Sequence, residues 1–305
     1  MGWHSPPIIF LIRYMNIKHL TLALFCLCIA SFVHAQEVDF SKYRGHVKAD
    51  SIAKQILEQA QYVVAYDYKF VRNAKYPNAK RSGLTILQIG QRYNRFCDYY
   101  SLRFDSLYDV AALGKFSFAE SAPQLLAVLK KVQFTENIVI DKESNKETIQ
   151  RTAGLATTKY EYQEVCPQLQ WQLLEGDTTI AGYPCKKAAT QLFGRQYVAW
   201  YAPSLDLPYG PYKFGGLPGL VLQVADTQQH FLFTISGLQK VTGYTPIYLW
   251  ANKAIVKSNR QKVRQIYKNY CADPAAALNS MEGVEISQET KARINAKPYN
   301  PIELE

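Results

Sequence analysis

A long succession of β-hairpin patterns, beginning near residue 132, most constrains the fold of this chain. Short runs of aromatic and β-branched residues alternate there with polar turns, of which Gly194-Arg195 is a good two-residue hairpin signal. Because the runs do not alternate with helical segments, consecutive strands should pair antiparallel rather than through parallel crossovers. The sequence therefore predicts an α+β protein with a strongly curved, half-barrel-like antiparallel sheet and a few helices packed on it.

The individual strands are predicted from runs of residues with high β-propensity. They cover residues 62–71, 84–89, 93–99, 132–140, 146–152, 159–165, 169–174, 184–193, 196–201, 220–224, 230–235 and 245–256. Helical spacing of apolar residues predicts helices in one insertion and towards both ends. They cover residues 50–60, 102–113, 123–131 and 259–271, with Asp50 and Ser258 capping the first and the last. The final thirty or so residues have an irregular pattern.

The N-terminal region predicts export. An apolar run over residues 20–33 follows Lys18, and Ala35 supplies the small residue before a cleavage site. This pattern indicates a secretory signal peptide over residues 1–35, with Met15 as an alternative start. A membrane anchor is the other interpretation, but polar and basic residues interrupt the longer apolar region, and its uninterrupted part is short for a span.

The rest of the chain is long enough to bury a sizeable core. Residues 36–257 are expected to form a β-rich domain, and residues 258–305 to add a basic helix and a tail packed on that domain. An exported protein of this kind would lie in the periplasm, at the outer membrane or outside the cell. The formal net charge of +10 could favour an anionic membrane surface, although scattered charges also serve solubility. Export argues against a nucleic-acid partner.

Residues suited to catalysis or metal binding are few beyond the signal segment. His46 and His230 are isolated, and neither belongs to a zinc motif or to a nucleophile motif. Glycine-rich phosphate loops of the usual spacing are absent. We therefore predict no catalytic residue, no metal and no cofactor.

Four cysteines follow the signal segment, and their even number permits two disulfides with three possible connectivities. They are Cys97, Cys166, Cys185 and Cys271. Their spacing does not match a zinc knuckle or a redox motif. We expect structural thiols or a disulfide, and the alternative is a hydrolase that uses Cys185 or Cys97 as its nucleophile.

The strongest local signal is a glycine-rich loop over residues 209–220, which contains four glycines and two prolines. Its motif turn consists of Gly215, Gly216, Leu217, Pro218 and Gly219. Pro218 and Gly219 suit the central positions of a type II turn. Aromatic residues in and near the loop are candidates to line a ligand site, namely Trp200, Tyr201, Tyr209, Tyr212 and Phe214. In the alternative interpretation a buried turn requires the glycines, and the aromatic side chains pack in the core.

Several motifs occur here in a recognisable order. They are Ile180–Ala188, Gly194-Arg195, Ala199–Pro203, Tyr209–Pro211 and Gly215–Val221. Together they resemble the GLPGLI family of secreted proteins, which is typical of Bacteroidetes and has no characterised function; Val221 stands where the family motif ends in Ile. The resemblance covers residues 169–240 and implies export and a β-rich fold, but no reaction and no catalytic residue. More loosely, the hairpins resemble the curved half-barrels of periplasmic lipoprotein carriers, in fold alone.

Three functions remain open at this point. The first is a non-catalytic binding module of the cell envelope for a hydrophobic or peptide-like ligand. The second is a structural or assembly partner of an outer-membrane complex, with the basic helix over residues 259–268 as the face that docks on a protein or on a membrane surface. The third is the cysteine-dependent hydrolase.

Overall fold

The computed structural model describes residues 51–114, 116, 118–152, 159–252, 255–279 and 287–304. The expected signal peptide at residues 1–35, the alternative start at Met15, the cap at Asp50 and His46 lie outside the described residues.

Fourteen strands account for most of the regular structure in the described ranges. They are β1 (Lys54–Gln59), β2 (Tyr62–Val71), β3 (Lys80–Ile89), β4 (Tyr93–Asp98), β5 (Glu136–Asp141), β6 (Lys146–Thr152), β7 (Lys159–Val165), β8 (Gln172–Ile180), β9 (Tyr183–Leu192), β10 (Arg195–Ala202), β11 (Leu220–Asp226), β12 (Phe231–Lys240), β13 (Pro246–Trp250) and β14 (Ile255–Lys257). The helices are α1 (Tyr99–Leu113), α2 (Phe118–Leu129), α3 (Arg260–Ala272), α4 (Pro274–Asn279) and α5 (Gln288–Arg293).

Twelve of these strands form one sheet, in the order β14-β7-β6-β5-β4-β3-β2-β12-β11-β10-β9-β8. Neighbouring strands are antiparallel except for β14, which runs parallel to β7. The two end strands do not pair with each other, so the sheet is not closed into a barrel. Strands β1 and β13 form a separate two-stranded ribbon. The predicted α+β class with a mainly antiparallel sheet is therefore confirmed.

One face of the sheet, which we call the inner face, carries the main core. The register aligns one apolar residue from each of six neighbouring strands in a row across this face, and all of them are buried. The row consists of Val64, Leu87, Phe96, Ile138, Ile149 and Tyr162. Since side chains alternate along a strand, the intervening residues point to the opposite face, where the β1–β13 ribbon lies near β4 and β5.

The predicted first helix over residues 50–60 is wrong. That segment contains β1, whose residues pair antiparallel with β13, for example Lys54 with Trp250. Three apolar positions gave the helical spacing, but Ile56 is 47% exposed, so these residues do not form one buried helical face. Tertiary pairing with β13 therefore overrides a weak local preference.

The single strand predicted over residues 245–256 is divided in two. Strand β13 pairs with β1 in the ribbon, whereas β14 joins the end of the large sheet beside β7. The following basic helix is confirmed as α3, but its cap is Asn259 rather than Ser258, because the Asn259 side chain accepts a hydrogen bond from the backbone N–H of Lys262.

The predicted helices over residues 102–113 and 123–131 are confirmed as α1 and α2, each with an earlier start. Asp98 caps α1 by accepting a hydrogen bond from the backbone N–H of Tyr100. None of the helices in the described ranges combines the length and the apolar character needed to cross a bilayer.

Candidate functional site

The glycine-rich loop lies against the inner face of the sheet and is built around close backbone contacts. A Cβ atom on Gly219 would lie 2.2 Å from the carbonyl oxygen of Ala202, and the φ angle of Gly219 is +146°. A Cβ atom on Gly210 would lie 2.5 Å from the carbonyl oxygen of Phe214. Glycine is therefore a steric requirement at both positions.

The motif turn differs in one respect from the expected type II turn. The backbone N–H of Gly219 donates to the carbonyl oxygen of Leu217, which closes a three-residue turn around Pro218. The N–H of Leu220, which would close a type II turn, instead donates to the carbonyl oxygen of Leu205. The expected positive φ at Gly219 is present, but this long-range bond replaces the local one.

Three of the five candidate lining residues are packed in the core. Tyr201, Tyr212 and Phe214 are each at most 4% exposed. The ring of Phe214 lies 4.6 Å from that of Tyr197 in an edge-to-face arrangement. Trp200 and Tyr209 are half-buried. A ligand could therefore reach these last two without rearrangement of the core, and the lining role remains a prediction.

A buried ionic cluster holds the loop to the sheet, and its centre is the ammonium group of Lys213. The Nζ atom of Lys213 lies 2.5 Å from Oε1 of Glu147, 2.9 Å from Oε1 of Glu164 and 3.0 Å from Oε1 of Glu303. The side chains of Lys213 and Glu147 are essentially inaccessible, whereas that of Glu164 is 21% exposed. We call these four residues the Lys213 cluster.

The groups of the Lys213 cluster have perturbed protonation equilibria. Burial raises the pKa of Glu147 to about 8, against the opposing charge of Lys213, and a hydrogen bond with Glu164 adds to the rise. Burial acts to lower the pKa of Lys213, but the surrounding carboxylates outweigh it and raise that pKa. Burial likewise opposes ionisation of Glu303, yet Lys213 and Arg260 lower its pKa. Burial therefore favours the protonated form of Glu147, whereas the neighbouring charges favour the charged forms of Lys213 and Glu303.

The C-terminal segment over residues 299–304, which we call the strap, completes the cluster. The hydroxyl of Tyr212 donates to the Glu303 carboxylate, and the guanidinium of Arg260 on α3 binds its other oxygen at 2.9 Å. The Arg264 guanidinium donates to the carbonyl oxygen of Glu303. The backbone N–H of Leu304 donates to the carbonyl oxygen of Phe193, between β9 and β10. The segment predicted to be irregular is therefore fixed by specific bonds.

Arg195 anchors the other half of the strap. Its guanidinium donates to Oδ1 of Asn300 and to the carbonyl oxygen of Pro301, both at 2.8 Å. It also pairs with Asp226 on β11 at 3.2 Å, where both side chains are buried. Hairpin prediction marked Gly194-Arg195 as a turn, but gave no indication that Arg195 binds the strap.

A second buried polar group lies beneath the β1–β13 ribbon, on the face opposite the glycine-rich loop. The Arg95 guanidinium donates to Oδ1 of Asn137 at 2.5 Å and lies 3.7 Å from the ring of Tyr248. Asp105 on α1 accepts hydrogen bonds at 2.7 Å from the Tyr248 hydroxyl and from the Trp250 indole N–H. These bonds attach the ribbon and α1 to the sheet.

The described cysteines are all free thiols. Burial raises the pKa of Cys97 and that of Cys166 to about 11. Burial also raises the pKa of Cys185 and of Cys271. A nucleophilic cysteine requires a lowered pKa, so these environments disfavour a thiolate.

His230 lies near the strap. Its Nδ1 atom is 3.5 Å from Nδ2 of Asn300. Across the ranges that the structure describes, histidine, cysteine and acidic side chains form no group suited to a metal ion.

An open pocket of about 570 Å³ lies where β8 and β9 approach the turn after β10. Its lining residues come from these three parts of the chain and are Asp177, Thr178, Thr179, Pro184, Cys185, Lys186, Pro203 and Ser204. The pocket therefore adjoins the end strand of the sheet, away from the Lys213 cluster. Pro184, Lys186 and Pro203 of its lining belong to the sequence motifs Ile180–Ala188 and Ala199–Pro203, but those motifs gave no indication of a pocket.

No protein-family profile matches the chain, and no curated protein does. Solved structures of PNGF-II are similar, one with 15% sequence identity and a TM-score of 0.46 over 69% of this chain. This chain spans 33% of the PNGF-II chain. An uncharacterised conserved protein from Thermus thermophilus has 10% identity and a TM-score of 0.34, with 65% of this chain and 91% of that chain covered. At these scores neither likeness bears on what the chain binds or does, and the GLPGLI resemblance remains a prediction.

Proposed function

We propose that this chain is an exported protein of the cell envelope that acts as a non-catalytic binding module for a peptide-like ligand. Membership of the GLPGLI family, and strong curvature of the sheet around its own loop, are parts of this proposal. The observation that carries it is the occupation of the inner face by the chain itself, through the glycine-rich loop, α3 and the strap.

That occupation favours a peptide-like ligand over a hydrophobic molecule held beneath the sheet. Tyr212 and Phe214 fill the space that a hydrophobic ligand would need, and the Lys213 cluster ties their loop to β6 and β7. Opening that space would expose buried charges and core aromatic rings, which is energetically costly. A ligand that binds at the outside of the sheet requires no such change.

Two observations favour binding over catalysis. The thiols have raised pKa values, which disfavours the hydrolase that would use Cys185 or Cys97. The buried carboxylates of Glu147 and Glu303 contact Lys213, which leaves them poorly placed to act on a substrate.

Arg260 and Arg264 on the basic helix bind the strap, so Lys262 and Lys268 are its exposed basic residues. Two lysines form a weak surface for an anionic membrane, and docking through this helix is therefore not part of the proposal.

The experiment is expression of the full chain, including residues 1–35, in a Gram-negative host, followed by fractionation and N-terminal sequencing. We expect a mature chain that begins at Gln36 in the envelope fraction. An unprocessed chain in the cytoplasm would contradict export.

Native mass spectrometry of the chain released from that fraction tests binding. We expect an added mass that a protease removes and an organic solvent does not, since the ligand is peptide-like. An added mass extracted by solvent would identify a lipid and overturn the choice of ligand.

An activity assay tests the non-catalytic assignment. Hydrolysis of a thiol-ester or peptide substrate that is lost in Cys185→Ala but kept in the control Cys271→Ala would overturn it.

A further inference from the structure

We infer that the free edge of β8, together with the adjoining pocket, binds an extended basic peptide segment as an additional strand of the sheet. This inference rests on the proposed function and assigns its binding site. It arises from three observations: a strand with an unpaired edge, a pocket beside it, and exposed acidic residues in its middle.

Strand β8 is the last strand of the twelve and pairs on one side only, with β9. Within the described ranges no helix, loop or strand forms a backbone hydrogen bond with its outer side. Most of its residues are exposed, and Leu173 is 64% exposed. Outward-facing backbone N–H and C=O groups on such a strand are best satisfied by another extended backbone, which defines the chemistry of the occupant.

The opposite end of the sheet is different. Strand β14 is followed directly by α3, which packs against β7, so that end is partly covered. The edge of β8 is therefore the long, accessible edge of this sheet. Its nine residues, which include a β-bulge between Leu174 and Asp177, would extend over at most about 30 Å, the length of a peptide strand of similar size.

The pocket supplies a place for a side chain of the added strand. Thr178 and Thr179 of β8 form one wall, and Pro203 and Ser204 after β10 form another. Because alternate side chains of a strand project to the same face, a pocket at one end of an edge selects a particular residue of the peptide. A volume of about 570 Å³ is sufficient for a large apolar side chain.

Charge decides between the possible occupants. Glu175 makes no ion pair among the described residues, whereas Asp177 pairs with Lys186 at 2.6 Å in an exposed position. A second copy of the chain, aligned antiparallel about Gly176, would place Glu175 opposite the acidic Asp177 of the other copy. Like charges in opposite positions destabilise a strand pair, whereas lysine or arginine on a peptide would stabilise it. The edge therefore favours a basic peptide over self-association.

The test uses a dye-labelled peptide, acetyl-Thr-Lys-Val-Lys-Leu-Lys-Val-Thr-amide, and its counterpart with glutamate in place of lysine. Fluorescence anisotropy with the full mature chain should show binding of the lysine peptide and at least tenfold weaker binding of the glutamate peptide. Amide hydrogen exchange should show protection over residues 172–180. Ser204→Tyr, which fills the pocket from an exposed position, should also weaken binding.

Charge reversal supplies the matched variants. Glu175→Lys should weaken binding of the lysine peptide about tenfold, since one attractive pair becomes repulsive. Asp67→Lys is the control, because Asp67 is an exposed acid on β2, whose two edges are occupied by β3 and β12. It should leave binding unchanged, and circular dichroism should show that all variants remain folded.

The outcomes separate this inference from the proposed function. Peptide binding that protects other amides, and that Glu175→Lys and Ser204→Tyr leave unchanged, would overturn the β8 site while the binding function stands. A dimer in sedimentation that is lost in Leu173→Lys would show that the occupant is a second copy, and would also overturn the inference. If neither peptide binds and the chain released from the envelope carries no ligand, both the inference and the proposed function fail.

Discussion

Replacement of Lys213 by methionine tests the energetic role of the Lys213 cluster. Methionine keeps the length of the side chain but removes its charge, so three carboxyl groups lose the cation that lies within 3.0 Å of each. Removing one partner from a buried ion pair costs about 3–5 kcal/mol, because the remaining charge is left uncompensated. We expect a loss of free energy of unfolding in that range at pH 7.5.

The assay is urea unfolding of the mature chain, followed by circular dichroism. With a slope of about 3 kcal/mol per molar urea, the midpoint should fall by roughly 1–2 M. Lys186→Met is the matched control, since Lys186 pairs with Asp177 in an exposed position and its removal should not change the midpoint measurably.

The pH dependence of this variant provides a second signature. Without Lys213, the pKa values of the buried carboxyls should rise further, so the folded state would bind more protons than the unfolded state at neutral pH. Stability would then fall more steeply with rising pH than in the parent chain. A Lys213→Met midpoint within experimental error of the Lys186→Met midpoint, or a penalty that does not grow between pH 5 and pH 8, would refute this reasoning.

Three further changes test other parts of the structure. Glu147 has an ordinary pKa of 4.5 and a folded-state pKa raised to about 8, so its ionisation reduces stability as pH rises between these values. Glu147→Gln should therefore flatten the curve of urea midpoint against pH from 5 to 8. An unchanged curve would contradict the raised pKa of Glu147. Gly219→Ala should destabilise the chain by about 2 kcal/mol or more in thermal unfolding, because the added Cβ would clash with the Ala202 carbonyl. Gly243→Ala is the control and should have little effect, since the space around Gly243 is open. Iodoacetamide at pH 8 should modify Cys97 far more slowly in the folded chain than in urea, because burial raises the pKa of that thiol; equal rates would show that it is accessible.

The local part of the fold could be predicted from sequence because its signals are local. A tight hairpin joins β9 and β10 as expected, but the predicted turn is shifted by one residue. The two loop residues are Phe193 and Gly194, both with left-handed backbone, and Arg195 already belongs to β10, where it pairs with Leu192. The segment Tyr62–Val71 forms β2 with the predicted bounds, because its aromatic and β-branched residues alternate between the faces of the sheet. The failed helix at β1 shows the limit, because β13, its partner, lies almost 200 residues later.

The Lys213 cluster could not be predicted in the same way. The Tyr212 hydroxyl and the Glu303 carboxylate are separated by 91 residues, and Lys213 and Glu164 by 49. A single lysine between Tyr212 and Phe214 was the local indication, because a charge in an aromatic, glycine-rich loop needs a partner if it is buried. The sequence does not show which glutamates provide that partner, since charge pairing across a fold leaves no periodic pattern.

The glycine-rich loop is accordingly a structural element whose aromatic residues mostly serve the core. The sequence prediction placed the conspicuous motif and the ligand site in the same loop, whereas in the structure the loop mainly serves the core. The surface with unsatisfied backbone groups lies instead at β8, whose sequence is unremarkable apart from Gly176 and the acids beside it.

Photo-crosslinking in the producing cells tests whether the peptide ligand binds at the free edge of β8. A benzophenone side chain in place of Leu173, on the free edge of β8, should give a protease-sensitive adduct. The control is the same side chain in place of Tyr76, which is equally exposed but lies in the turn between β2 and β3. It should give no adduct. An adduct from position 209 in the glycine-rich loop with none from position 173 would place the ligand on the inner face and contradict binding at β8.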